Sequence, residues 1–396
     1  MNKNQPYYIK NTNVTMSQQK RINTMIYYLF PRFSIFISPN AFCTIQKGQH
    51  LMHKHPNQPS ILQTTSSNIA RLDETSRLSF SLSKYMEEVV HCVSSMDNWS
   101  IQVSNPYHKV AQMSKIKHVS FIFYELIEVY HIMNLCWDKY TKMSSLHLGK
   151  DANTTIKMSQ YIRKQDQAHD ENYSVYSESY SVNLLDYYYR EKRNTMDVII
   201  MDASSEFEYQ NAIELIMQLC IGLCAQKHKG TCIIKYGETF SWLSLDILAL
   251  ISHFYEKTFF LKPSVCDLSS GEKYLVCKNF TYHGLSTKMY ETLRMLYLSI
   301  EHTKVRIERL FHISIPLFIS SKLEEINSIF GQSRLEHIQH LLTHSENWYS
   351  EKTVQEQYQK GKEWCLKYNI PFIMPSLLQS HQLQQHPSNS TPVVIV

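Results

Sequence analysis

A chain of 396 residues with 43% hydrophobic and 12% aromatic side chains can bury a full α/β core and carry flanking units besides, which excludes bulk disorder. Its formal charge of +5 is mildly basic, compatible with a polyanionic partner but far short of the Lys/Arg stripe that alone would mark a nucleic-acid binder. Nine cysteines, odd in number and mostly set in apolar runs, argue against a disulfide framework and for a reducing, intracellular setting in cytoplasm or nucleus.

Residues 1–110 mix Asn, Gln, Ser, His and Pro with short apolar runs. They are expected to form an appendage with one helix around Leu82, Met86, Val89, Val90 and Val93. The longest apolar run, 25–38, is broken by Pro31 and Arg32 and is too short to span a bilayer, and no signal-peptide pattern opens the chain, so no membrane is expected.

From Lys115 onward Val119, Phe123, Leu126, Ile127 and Tyr130 repeat at helical spacing. Either 132–137 or 144–148 then offers a first buried strand. The polar, Tyr/Ser-rich stretch 150–194 carries no assigned element.

Residues 197–202 form the clearest strand, a continuous apolar run of the kind covered on both faces of a parallel sheet. A helix follows with Ala212, Ile213, Ile216, Met217, Cys220 and Leu223 on one face, closed by Lys227, His228, Lys229 and Gly230 as a basic last turn with its terminal glycine. A strand at 231–236, a helix from Ser241 to about Tyr255, a strand at 258–261 and a strand at 273–277 come next.

This alternation predicts an α/β, Rossmann-like sheet over residues 111–282, parallel with an antiparallel last strand. Residues 283–374 read as helical, with a face of Leu285, Met289, Leu293, Leu296 and Ile300 and a later helix opened by a Ser333/Glu336 capping box. The Gln/Ser/His/Pro-rich tail 375–396 reads as disordered.

The segments Met196-Asp-Val-Ile-Ile-Met-Asp202, Gly230-Thr-Cys-Ile-Ile-Lys235, Phe259-Phe-Leu-Lys-Pro-Ser264 and Ser270-Gly-Glu-Lys-Tyr-Leu-Val-Cys-Lys278, in that order and spacing, resemble the C-terminal half of FtsJ-like RNA 2′-O-methyltransferases. The resemblance is closest to the cap-modifying members of eukaryotes and large DNA viruses. It implies a methyltransferase fold and places Asp202, Lys235 and Glu272 at three positions of that family's Lys-Asp-Lys-Glu tetrad. In that chemistry a lysine must shed its proton to accept one from a ribose hydroxyl, so its pKa has to be pulled down by burial or nearby positive charge.

Two departures follow. Where the family has its first lysine, this chain has Ile122 or Phe123, leaving Lys117 (or Lys115) as the substitute. The glycine-rich turn that normally meets S-adenosylmethionine is missing, since no glycine lies between Gly48 and Gly149. The candidate cofactor loop is Cys136, Trp137 and Asp138 after the earlier strand choice, or the lone Gly149 after the later one.

The resemblance therefore implies either a silent domain that binds RNA or stabilises a partner subunit, or an active S-adenosylmethionine-dependent cap 2′-O-methyltransferase. Cys43, His50, His53 and His55 match no zinc spacing, so no metal is expected. His337, His340 and His344 read as a solvated helix face. The run Tyr187-Tyr-Tyr-Arg190 offers either a base-stacking platform or a packed helix edge.

Overall fold

Alternation along the apolar strands builds the fold, and it is clearest in Met196–Ala203, where every residue is buried. Ile199 and Met201 enter one core and Val198 and Ile200 the other, so this strand is the middle of a three-layer sandwich. The computed structural model describes residues 27–34, 78–96, 105–137, 140–163, 170–203, 207–302, 307–311, 314–344 and 349–374.

The strands are β1 (Tyr28–Phe30), β2 (Ser144–Gly149), β3 (Glu171–Val175), β4 (Met196–Ala203), β5 (Gln226–Tyr236), β6 (Tyr255–Leu261) and β7 (Lys273–Phe280). They form one sheet in the order β1-β6-β7-β5-β4-β2-β3. Strands β3, β2, β4 and β5 pair in parallel, while β7 runs antiparallel to both β5 and β6, and β1 antiparallel to β6. A reversed strand inserted beside a parallel set is the methyltransferase variant of the Rossmann-like sheet, as the sequence predicts. Edge strand β1 lies outside the predicted set.

The helices are α1 (Phe80–Ser94), α2 (Lys109–Met113), α3 (Ile122–Ile132), α4 (Ala152–Ile162), α5 (Val182–Glu191), α6 (Glu208–Ala225), α7 (Trp242–Phe254), α8 (Thr287–His302), α9 (Leu317–Thr343) and α10 (Glu351–Lys367). One core joins the sheet to α5 through α9, and the other joins its opposite face to α2, α3, α4 and α10. Among the described residues no helix is long and apolar enough to cross a membrane.

Several local expectations change. The first parallel strand is 144–149, and 132–137 instead ends α3 and enters a loop, so the buried Trp137 is core. The silent stretch 150–194 folds into α4, β3 and α5.

Helix α6 ends at Ala225, and Lys227 to Gly230 belong to β5. Lys229 takes a left-handed φ of 63° at an irregularity in the β4–β5 register, and a Cβ on Gly230 would stand 2.9 Å from the Asp197 carbonyl oxygen. Gly230 thus admits a close strand contact rather than ending a helix. Helix α9 runs uninterrupted through Ser333, so the Ser333/Glu336 pair opens nothing.

Candidate active site

The pleat puts one set of side chains at the C-terminal edge of the parallel strands. Asp202 lies opposite Lys235 in the β4–β5 register, and Lys235 lies opposite Tyr274 in the β5–β7 register. Residues two apart share a face, so Asp202, Lys235 and Glu272 all lie on the α3 side of the sheet.

The Lys235 ammonium is 3.1 Å from a Glu272 oxygen and 3.0 Å from a Glu125 oxygen. The three residues singled out in sequence are brought to one edge. Asp138, a candidate for the cofactor loop, lies outside the described residues.

Glu125 is the residue that sequence reasoning missed. It comes from α3, the helix expected to carry the first lysine, and Lys117 instead stands exposed on the loop before that helix. Lys235 therefore faces carboxylates from both sides. Tyr274 donates to the same Glu125 oxygen at 2.5 Å, and burial together with Glu125 pushes its phenol well above the ordinary range, so it stays a neutral donor.

The electrostatics run against the expectation for a base. Burial by itself would weaken the hold of Lys235 on its proton, but Glu125, Glu272 and Asp202 outweigh it and raise the ammonium well above the ordinary lysine value. Three carboxyl groups surround one ammonium. A tetrad with two lysines and two carboxylates would have no such excess.

The strand-end turn is equally committed. Gly149 ends β2 with φ 111°, and a Cβ there would stand 2.3 Å from the Asp202 carbonyl oxygen, so the glycine serves strand approach. After it, the Ser120 hydroxyl donates to Asp151 at 2.7 Å and to Thr154 at 3.2 Å, and Lys157 donates to the His118 carbonyl at 2.7 Å. The segment before α3 is thereby tied over the first turn of α4, the turn a cofactor would approach in such a fold.

Strand β3 ends in Val175, followed by Tyr176, where a nucleoside site carries an acidic side chain for the ribose.

Cys136 and Trp137 sit at the opposite edge of the sheet: the Trp137 carbonyl accepts from Arg163, which also grips Asp170 just ahead of β3. They cannot line a turn after β2.

Two further groups shape this face. Glu128, one turn after Glu125 and fully buried, accepts from Ser264 Oγ at 2.6 Å, Val265 N at 3.1 Å, Trp364 Nε1 at 3.1 Å and Tyr368 Oη at 3.3 Å. It locks α10 and the Lys-Pro-Ser loop to α3.

Of the tyrosine run, Tyr188 is buried and Tyr189 stacks on Tyr290 at 3.6 Å, so only Tyr187 presents a largely exposed ring and no platform is assembled. Among the described residues no cluster of His, Cys, Asp or Glu is arranged to hold a metal.

The sequence matches no family model and no curated protein sequence. Among solved structures, it is similar to a probable spermidine synthase from Corynebacterium glutamicum, with 11% identity, 53% of this chain and 86% of that one covered, and a TM-score of 0.29. It is also similar to Haemonchus contortus phosphoethanolamine N-methyltransferase 2 bound to phosphomonomethylethanolamine and S-adenosylhomocysteine, with 11% identity, 42% and 39% covered, and a TM-score of 0.26. These superpositions are too loose to bear on chemistry, and the methyltransferase fold rests on the sheet order itself.

Proposed function

We propose that this chain is a methyltransferase-fold domain that has lost methyl transfer and serves as a binding subunit for RNA, with or without a cap, or for a protein partner. The observation carrying this reading is the clamp on Lys235. A general base must be available in its neutral form near the working pH, and a lysine held between Glu125 and Glu272 is kept charged. The committed turn between β2 and α4 and the apolar end of β3 support the same reading, because both remove contacts that S-adenosylmethionine would need.

The retained trio of Asp202, Lys235 and Glu272 favours the second reading, an active S-adenosylmethionine-dependent RNA 2′-O-methyltransferase. The two separate in one experiment. Calorimetric titration with S-adenosylmethionine, paired with a transfer assay on capped RNA, is expected to show neither binding nor product. Transfer that disappears in Lys235→Ala would end the silent reading.

A further inference from the structure

On the other face of the same strand tip lies a second group of cations. Lys273 follows Glu272 directly and, by the pleat, points away from Lys235, opposite Tyr236 in the register. With Lys262 from the end of β6 and Arg334 from α9 it lines a pocket between the sheet edge and helices α1 and α9, whose walls include Met86 and Phe330.

Among the described residues the one carboxylate in the pocket wall is Glu238, already held by Arg334 at 2.6 Å. Asp267 also acts on Lys262, and Glu208 on Lys273, each alongside Glu238.

Both lysines are satisfied by backbone alone. Lys262 donates to the Ser270 carbonyl at 2.5 Å, and Lys273 donates to the carbonyls of Gly237 at 2.6 Å and Gly271 at 3.2 Å. Three cations thus converge on a wall that holds one carboxylate, with Asp267 and Glu208 acting from outside it.

Burial lowers the proton affinity of both lysines, that of Lys273 to about 8, because enclosure outweighs the pull of the nearby carboxylates. The floor is rigid: Asn327 and Thr239, both buried, bond reciprocally at 2.6 Å and 2.8 Å and pin α9 to the loop after β5. A buried, pre-formed cluster of cationic donors beside apolar side chains is suited to a phosphate oxygen and gains little from a neutral ligand.

We propose that Lys262, Lys273 and Arg334 form a binding site for a phosphate group of a nucleic-acid strand lying over the tip of β7. The identity of the strand rests on the RNA-binding role above, whereas the anion chemistry rests on the pocket alone.

The test uses the full chain and a short fluorescent single-stranded oligoribonucleotide at low salt, followed by anisotropy with inorganic phosphate as competitor. Lys273→Met and Arg334→Gln are each expected to weaken binding about tenfold, as loss of one charge-assisted contact should. Millimolar phosphate should displace the strand, and affinity should fall as pH rises through about 8 in the wild type but not in Lys273→Met.

Lys142→Met, in an exposed pair with Glu171 beside the first residues of β2 and β3, should bind as the wild type does. Thermal unfolding checks each variant, and Lys262→Met stands in if Arg334→Gln fails to fold.

Unchanged affinity in the Lys273 and Lys262 variants overturns the site. Phosphate binding without oligoribonucleotide binding overturns the nucleic-acid assignment. None of these readouts involves S-adenosylmethionine, so detection of methyl transfer would remove the silent-domain reading and leave this pocket standing.

Discussion

Lys235 and Lys273 occupy neighbouring strands at one sheet edge, both largely enclosed, with the Lys235 side chain 11% exposed and Lys273 3%. They answer enclosure in opposite ways. Lys235 meets two carboxylates at salt-bridge distance and holds its proton more tightly, while Lys273 meets carbonyl oxygens and holds it less tightly, at about 8. Burial penalises both charges alike, so what separates a locked ammonium from an available one is the count of formal counter-charges within reach. A single strand tip, Glu272 followed by Lys273, supplies one residue to each face and so divides an acid-rich site from a base-rich one.

The most direct way to break this contrast is Glu125→Gln, which removes the better-buried partner of Lys235 and leaves the more exposed Glu272. Stability measured by chemical denaturation should fall by about 3 kcal/mol, the lower part of the range for disrupting a buried pair. No change in the denaturation midpoint would mean that the carboxylate clamp is not what holds Lys235.

The opposite sign is expected on the other face. Lys273→Met removes a buried charge whose enclosure outweighs its nearby carboxylates, at the loss of its carbonyl contacts, and stability should rise by about 1 kcal/mol.

The pH limb sharpens the comparison further. Between about 8 and the ordinary lysine value near 10.5 the unfolded state holds the Lys273 proton that the folded state releases, so its contribution makes stability rise with pH across that window. Lys235 contributes with the reverse sign: its stabilisation is full below 10.5 and is lost as pH climbs through its raised folded value. Subtracting the Lys273→Met profile from the wild type should isolate the rising limb, and a flat difference would refute it. The smallest effect belongs to Lys142→Ala: its pair with Glu171 is solvent-exposed, and the unfolding midpoint should not move.

Much of this edge was legible in the sequence: the family resemblance singled out Asp202, Lys235 and Glu272, and each terminates or precedes an apolar strand whose ends are fixed by local pattern. Glu125 was hidden for the converse reason. Val119, Phe123, Leu126, Ile127 and Tyr130 mark a buried stripe, and a carboxylate between them reads as solvent-facing unless the whole helix is enclosed.

All residues of α3 from Ile122 to Tyr130 are in fact buried. Two acids three apart within an otherwise apolar helix, Glu125 and Glu128, were the available signal. Arg334 and Lys262 are 72 positions apart in sequence numbering and meet through a tertiary fold that no local period encodes.

The four donors on Glu128 also set an order of events during biosynthesis. Trp364 and Tyr368 lie 236 and 240 residues downstream of it, so a ribosome must add all of that length before the carboxylate is fully capped. Until then the helix presenting Glu125 lacks its outer brace, and a nascent or truncated product ending short of Trp364 would leave Glu128 with only its Ser264 and Val265 donors. Chaperone dependence and protease sensitivity should therefore concentrate in fragments cut before the final helix.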